Sequence, residues 1–380
     1  MLTKMKEFFS NLWTKFKRFI SKESNLKFTV PAVAIILGFS LGILIMFITG
    51  INPLDFFAAL FEQVSGISLS KIGTGKTVFN PRHIGEFFVS SMPIILTGLS
   101  VAFAFRTGLF NIGAEGQLMM GALGAIIVGV VFDLPMIIHL PFAVITGVLF
   151  GAAWGFVPGF LKAKFNVHEV VVTILMNYVA LYASNYFLKL LPGSSNIKTA
   201  TVHETASLAS EFFYDLTNKS RFHWGFILVI LAVFVFWIII DKTTFGFELR
   251  SAGFNKHASK YAGMKVDRNI ILSMVISGSF AGLAGVMIAI GTFDYGRVLV
   301  SAEGFGFDGI AVALVGGTAA IGSLLAGLLF GALKASQSLM QARGIPKDIA
   351  NIIMASIVLF VAMQNAIKRF LLRFREKEEE

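Results

Sequence analysis

Asn111, Glu115 and Gln117 lie within seven residues of one another, interleaved with Gly113 and Gly116. They open an apolar run that carries no further charge through Phe132. A carboxylate at the edge of such a run is expensive unless it faces water or protein, which makes Glu115 a functional candidate. All three side chains can hydrogen-bond, and the two glycines let another backbone or a solute come close. The pattern fits polar contact with a solute, with Asn111, Glu115 and Gln117 as lining groups. It equally fits a polar helix end at headgroup depth. Asn177, inside another apolar window, and Asp308, just ahead of an interrupted one, are further polar candidates for the same path.

Other chemistries find little support in the residues. Gly73-Thr74-Gly75-Lys76-Thr77 resembles part of a phosphate-binding loop, but Ser70 stands where the first glycine belongs and no buried strand precedes it. The chain is therefore not expected to bind ATP itself. His168-Glu169 lacks the second histidine of a zinc-protease helix, and the six histidines are scattered, so no metal is expected. The apolar windows contain no chain of carboxylates and histidines that would relay protons. Cysteine is absent, which removes disulfides and thiolate sites from consideration.

The surrounding elements explain why an isolated carboxylate stands out. The 380 residues are 56% hydrophobic and 14% charged, against about 25% charged in a soluble domain. That composition describes a polytopic, all-α membrane protein of the cell (plasma or inner) membrane. Apolar windows fall near 29–50, 85–105, 110–132, 137–161, 168–191, 223–241, 269–291 and 346–367, with a less regular region at 303–340. Residues 1–28 carry seven Lys/Arg, 242–268 carry six and 368–377 carry five. Placing these on the cytoplasmic side puts both termini inside. Parity then requires two passages between Glu303 and Met340, one of them a short or broken helix near 303–317 interrupted at Gly316-Gly317. About ten transmembrane helices result.

Three regions follow: a basic amphipathic segment over 1–28, a membrane domain over 29–367 and a charged cytoplasmic tail over 368–380. The net charge of +10 reflects this flanking pattern and does not point to nucleic acid. Gly147, Gly151, Gly155 and Gly159 stand four apart and predict close helix packing. The outer loops 51–84 and 192–222 fit a cover over an entrance or a meeting point for an external partner, and equally passive connections, the slightly favoured reading.

The segment 242–268 is the second informative stretch. Gly253 and Gly263 are expected to punctuate a short surface helix that carries Asn255, Lys256, Ala258 and Tyr261. As a bare pattern it is a basic loop, or a short helix fitting a groove on a soluble partner.

Phe110-Asn111-Ile112-Gly113-Ala114-Glu115-Gly116-Gln117 resembles the signature of ABC importer permeases that serve ribose-type sugars, branched-chain amino acids and nucleosides, and in particular the nucleoside and simple-sugar branch. Ala252-Gly253-Phe254-Asn255 through Tyr261-Ala262-Gly263 is similar to that family's cytoplasmic coupling loop. Gly304-Phe305-Gly306-Phe307-Asp308-Gly309-Ile310 is typical of the same branch. The three matches keep their order over about 200 residues.

The resemblance implies a type II importer permease with no catalysis or cofactor of its own. ATP would be held by separate ATP-binding subunits docked on Gly253, Asn255, Lys256, Ala258, Tyr261 and Gly263. A second homologous permease, making a heterodimer, and an external solute-binding (lipo)protein would complete the assembly in the lipid bilayer. A nucleoside is the expected cargo, since uncharged Asn111, Gln117 and Asn177 suit a neutral solute rich in donors and acceptors. Simple sugars and branched-chain amino acids are the alternatives within the family, and an ion-coupled carrier is the alternative outside it. Glu115 is left with two roles, solute contact or helix tie. Ala114-Glu115-Gly116 recurs as Ala302-Glu303-Gly304, as two inverted halves with matching broken helices would require.

Overall fold

The computed structural model describes residues 26–73 and 77–379. The amphipathic segment expected over 1–28 falls almost wholly outside the described residues, as does the centre of the phosphate-loop-like stretch. Among the described residues, those up to Pro53 together with those from Ile345 form one compact unit, and Leu54–Gly344 form the other.

The helices follow the apolar windows closely. They are α1 (Leu26–Ile48), α2 (Pro53–Ser65), α3 (Pro81–Arg106), α4 (Ala114–Val131), α5 (Met136–Phe165), α6 (Glu169–Lys189), α7 (Glu211–Leu216) and α8 (Gly225–Lys242). After them come α9 (Thr244–Phe254), α10 (Lys256–Tyr261), α11 (Val266–Met287), α12 (Phe305–Val315), α13 (Ala320–Ala342), α14 (Asp348–Ala362) and α15 (Gln364–Glu379). Eight helices among the described residues are long and apolar enough to cross a membrane. The bent pair α14–α15, turning by 62°, makes a ninth if it is one span, and α12 is a shorter apolar helix.

In the first unit isoleucines of α14 pack on the glycines of α1, leaving no room for a side chain at Gly38 or Gly42. A Cβ on Gly38 would lie 2.4 Å from the Ile357 side chain and one on Gly42 would lie 2.3 Å from Ile353.

In the second unit the glycine run of α5 meets α11 backbone to backbone. A Cβ on Gly151 would come within 2.5 Å of the Gly278 carbonyl, and one on Gly155 within 2.3 Å of the Met274 carbonyl. In lipid, where burying apolar surface gives little drive, such contact is what holds helices together. Phe103, Phe236 and Phe280 close the core with ring centroids 5.6–6.1 Å apart.

Helix α12 is short because its first half is not helical. A Cβ on Gly309 would touch Thr97, one on Gly98 would touch Val312, and the Thr318 carbonyl accepts from Arg106 Nε at 3.0 Å. The helix thus begins beside Thr97, nine residues (roughly 13 Å) short of the Arg106 end of α3. An irregular segment, 298–304, leads down to that point. Irregular backbone at such depth needs protein partners, and it has them, as described below.

The loop at 192–222 is not a passive connection. Its strand β1 (Lys198–Thr201) pairs antiparallel with β2 (Tyr295–Arg297). Its Leu208 N–H also donates to Ile290 O at 2.7 Å, pinning a π-helical turn over Ile288–Phe293. At the end of this loop His223 is buried against Gly225 and Gly291. Its Nδ1 accepts from Gly225 N–H at 3.1 Å, while Nε2 has no partner among the described residues.

Burial holds the imidazole pKa down to about 4, from an ordinary 6.5. Between those values the unfolded chain binds a proton that the folded chain refuses, so stability falls as pH drops from 6.5 towards 4. The full shift corresponds to about 3 kcal/mol. The melting temperature of the purified protein should fall over this window, and His223→Asn should flatten the fall. An unchanged slope in that variant would assign the acid sensitivity elsewhere.

Candidate functional site: a junction of two helix starts

Asn111, Glu115, Gln117 and Asn177 converge, all of them buried. The reason is a capping problem. Helix α4 starts at Ala114 inside the protein, and its N-cap, Gly113, has no side chain to satisfy the first N–H groups. Asn111 Oδ1 accepts from Gly113 N–H at 2.9 Å. Asn177, reaching across from α6, accepts from Gly116 N–H at 2.8 Å and donates to Ile112 O at 3.0 Å. Asn111 Nδ2 donates to Gln117 Oε1 at 2.8 Å and to Ser277 Oγ at 2.7 Å. Every polar atom of Asn111 and Asn177 is therefore used inside the chain.

Glu115 solves the same problem for the facing helix. The N-cap of α12 is Gly304, again without a side chain. Glu115 Oε1 accepts from Gly304 N–H at 2.9 Å and Oε2 from Gly306 N–H at 2.5 Å. A carboxylate is the group that the positive end of a helix favours. The approach depends on Gly306, whose Cβ would lie 2.3 Å from Glu115 N. The Thr97 hydroxyl adds a bond to Phe305 O at 2.9 Å. Thus α6 caps α4 in trans, and α4 caps α12 in trans, with two helix starts meeting head to head. The two copies of Ala-Glu-Gly stand in contact at this point. Their glutamates differ in role, since Glu303 takes a bidentate pair with Arg297 at 2.5–2.6 Å instead.

Glu115 reaches the level of Thr97, nine residues from the Arg106 end of α3. Asn111, Glu115 and Gln117 are buried, and the neighbouring cavity, lined by Leu118, Met119, Ser184, Arg297 and Glu303 among others, holds about 40 Å³. That is room for a water or two, not for a solute of sugar size. Asp308 is separate from the cluster. It sits one turn along α12 and pairs with Lys334 of α13 at 2.6 Å, whose Nζ also lies 4.8 Å from the centre of the Phe305 ring. Ser277, Thr97 and Asn185 were not legible as site residues, whereas Lys334 stands out beside Glu115 as a plainly ionisable residue within the apolar windows. The repeated Ala-Glu-Gly and the Gly304–Ile310 motif pointed towards Gly304.

The second cluster is the 242–268 segment. Asn255 caps α10, its Oδ1 accepting from His257 and Ala258 N–H, each at 3.0 Å. Gly263 follows the helix with φ +82°, the left-handed turn that glycine allows. Tyr261 is 98% exposed and Phe254 92%, with Lys256 and Ala258 on the same short stretch. Gly253 does not open this helix. It lies inside α9 and abuts the turn after α3: its Cβ would fall 2.7–2.9 Å from backbone atoms of Arg106, Thr107 and Gly108. That turn leads directly into Asn111. The surface helix is thus two residues from a backbone contact with the segment that starts α4.

With this geometry in place, the likeness to known proteins falls into line. Residues 83–363 match the family described as branched-chain amino acid transport system / permease component. The chain is 48% identical over 349 residues to the guanosine ABC transporter permease protein NupP of Bacillus subtilis, covering 92% of this chain and 97% of that protein. It is 38% identical to the nucleoside ABC transporter permease protein NupB of Lactococcus lactis, covering 90% and 92%. It is 29% identical to the glucose ABC transporter permease protein TsgB13 of Haloferax volcanii, covering 91% and 90%.

Proposed function

Because this chain belongs to the branched-chain amino acid transport system permease family, we propose that it is the membrane-spanning subunit of an ATP-driven importer of nucleosides. The single observation that carries the cargo assignment is the near end-to-end likeness to a guanosine permease at 48% identity. The likeness to a glucose permease is equally long but much weaker, so a sugar is the second reading.

ATP is bound by separate subunits that seat α10 through Tyr261, Phe254, Lys256 and Ala258, with Asn255 and Gly263 setting the ends of that helix. A second, homologous permease forms the other wall of the path, and an external solute-binding protein delivers the cargo. Residues 29–367 make the membrane domain, with both termini and the 242–268 segment in the cytoplasm and the 368–380 tail beyond it. Closure of the ATP-binding subunits pushes α10. Gly253 passes the movement to the turn at Gly108, and the start of α4 carries it through Glu115 to α12.

In this reading Asn111, Glu115, Gln117 and Asn177 hold the junction whose rearrangement opens and closes the path, and Asp308 with Lys334 is its polar lining. A bound ligand can shift such an equilibrium only by its different affinity for the two states, so the docked ATP-binding subunits and the loaded binding protein are the two inputs.

Uptake competition tests the cargo. Entry of labelled guanosine should be reduced by uridine and be indifferent to ribose, galactose and leucine, and it should vanish without the ATP-binding subunit. Competition by ribose or galactose alone would establish the sugar reading. Uptake driven by an ion gradient without that subunit would refute both.

A further inference from the structure

Helix α6 presents one face to the rest of the chain and leaves the opposite face bare. Thr173, Asn177, Ala180, Ser184 and Leu188 are its buried side. On the exposed side, among Val171, Leu175 and Val179 and at a spacing of four residues, stand Tyr178, Tyr182 and Tyr186, exposed by 61%, 71% and 62%. The spacing stacks them along one line about 12 Å long.

This ladder is chemically out of place for lipid. The chain has 40 Phe and only six Tyr, and three of the six are here. Exposed aromatic positions elsewhere on the spans are Phe, as at 142, 156 and 234, or Trp, as at 237, and on α6 itself the position off the ladder is Phe187. No hydrogen bond ties the three hydroxyls to the described residues, and a hydroxyl in hydrocarbon without a partner is costly. Tyrosine is common where a span meets the headgroups. That accounts for Tyr186, three residues from Lys189, but not for Tyr178 at the middle of the helix.

The helix is also bolted to the junction. The residue before Tyr178 is Asn177, which caps α4. The residue before Tyr186 is Asn185, whose amide donates to Leu299 O at 2.7 Å and accepts from Leu299 N–H at 2.9 Å, gripping the irregular segment ahead of α12. A movement of either helix start is therefore carried to the ladder.

We propose that Tyr178, Tyr182 and Tyr186 line the translocation path and that the base of a nucleoside stacks on their rings as it crosses. A flat, neutral heteroaromatic ring stacks on an aromatic side chain whatever its sequence of donors and acceptors, which suits a permease that must pass several bases. The hydroxyls add hydrogen bonds for the sugar. A saturated sugar or an aliphatic amino acid has no such face, so the ladder is a feature of the nucleoside reading and rests on it.

The absence of cysteine allows a direct test in cells carrying the whole transporter. Single variants Tyr178→Cys, Tyr182→Cys and Tyr186→Cys, with Phe234→Cys as a lipid-facing control, are exposed to a membrane-impermeant thiol reagent during guanosine uptake. The ladder positions should be modified and uptake blocked, with excess guanosine protecting, while the control is spared. In parallel, Tyr182→Leu should raise the KM for guanosine roughly tenfold, and Tyr182→Phe should restore it most of the way.

Ladder cysteines that are no more reactive than Phe234→Cys, with Tyr182→Leu transporting guanosine normally, would overturn the ladder and leave the nucleoside reading standing. Cysteines that resist the reagent but cross-link to the second permease would make this face a subunit contact and overturn the proposal too. If ribose or galactose is transported and protects, and guanosine is neither transported nor protective, the nucleoside reading itself fails and the stacking role with it.

Discussion

Glu115→Ala is expected to abolish most nucleoside uptake, by at least about tenfold, through a fall in maximal rate with KM little changed. The substitution strands the half-buried N–H of Gly304 and the buried N–H of Gly306, which have Glu115 as their acceptor. Each stranded donor costs about 1–3 kcal/mol, and the lost bonds are of the stronger, charge-assisted kind. The start of α12 should loosen by roughly 3–5 kcal/mol in total. The melting temperature should drop alongside uptake, while assembly with the ATP-binding subunits persists, since α10 is not touched.

Two conservative variants sharpen the result. Glu115→Gln keeps one acceptor oxygen but turns an NH2 towards the second donor, so it should recover less than half of the loss. Glu115→Asp is one methylene too short to reach both donors. A variant that keeps wild-type melting and uptake rate but raises KM would instead make Glu115 a solute contact.

The second large effect is expected at Gly253. An alanine Cβ there meets backbone atoms of Arg106, Thr107 and Gly108 at 2.7–2.9 Å, and backbone cannot rotate out of the way. Relieving the overlap must push α9 off the turn after α3, at a cost of about 1–3 kcal/mol. In membranes containing the assembled transporter, Gly253→Ala should leave ATP hydrolysis running but reduce uptake about tenfold or more, and hydrolysis should no longer respond to the loaded binding protein. Gly108→Ala should reproduce the defect from the other side, with added backbone strain because Gly108 has φ +70°. Coupled uptake and hydrolysis at normal ratios in both variants would show that the motion bypasses this contact.

The glycines illustrate how differently parts of the molecule could be read beforehand. The run from Gly147 to Gly159 is periodic, so its packing role was visible from spacing alone, and the structure places it against α11. Gly253 carries no such period. It reads as punctuation of a helix, and only its neighbour across space, Gly108, explains why no side chain fits. The π turn after α11 likewise leaves no mark in hydropathy, because it keeps the residues apolar while changing only the path of the backbone.

Composition and local pattern determined that this chain is a helical membrane protein, where most of its spans lie and that a helix is broken near 303–317, and they offered a short surface helix or a basic loop over 242–268. Those properties follow from the partitioning of each short segment between water and hydrocarbon, and from caps a few residues apart, so they are written locally. What Glu115 does was decided only by tertiary structure. Its partners are backbone N–H groups nearly 190 residues away, and every residue has such a group, so no side-chain pattern announces them. The sequence identified a carboxylate that needed a partner; the fold supplied the uncapped start of another helix.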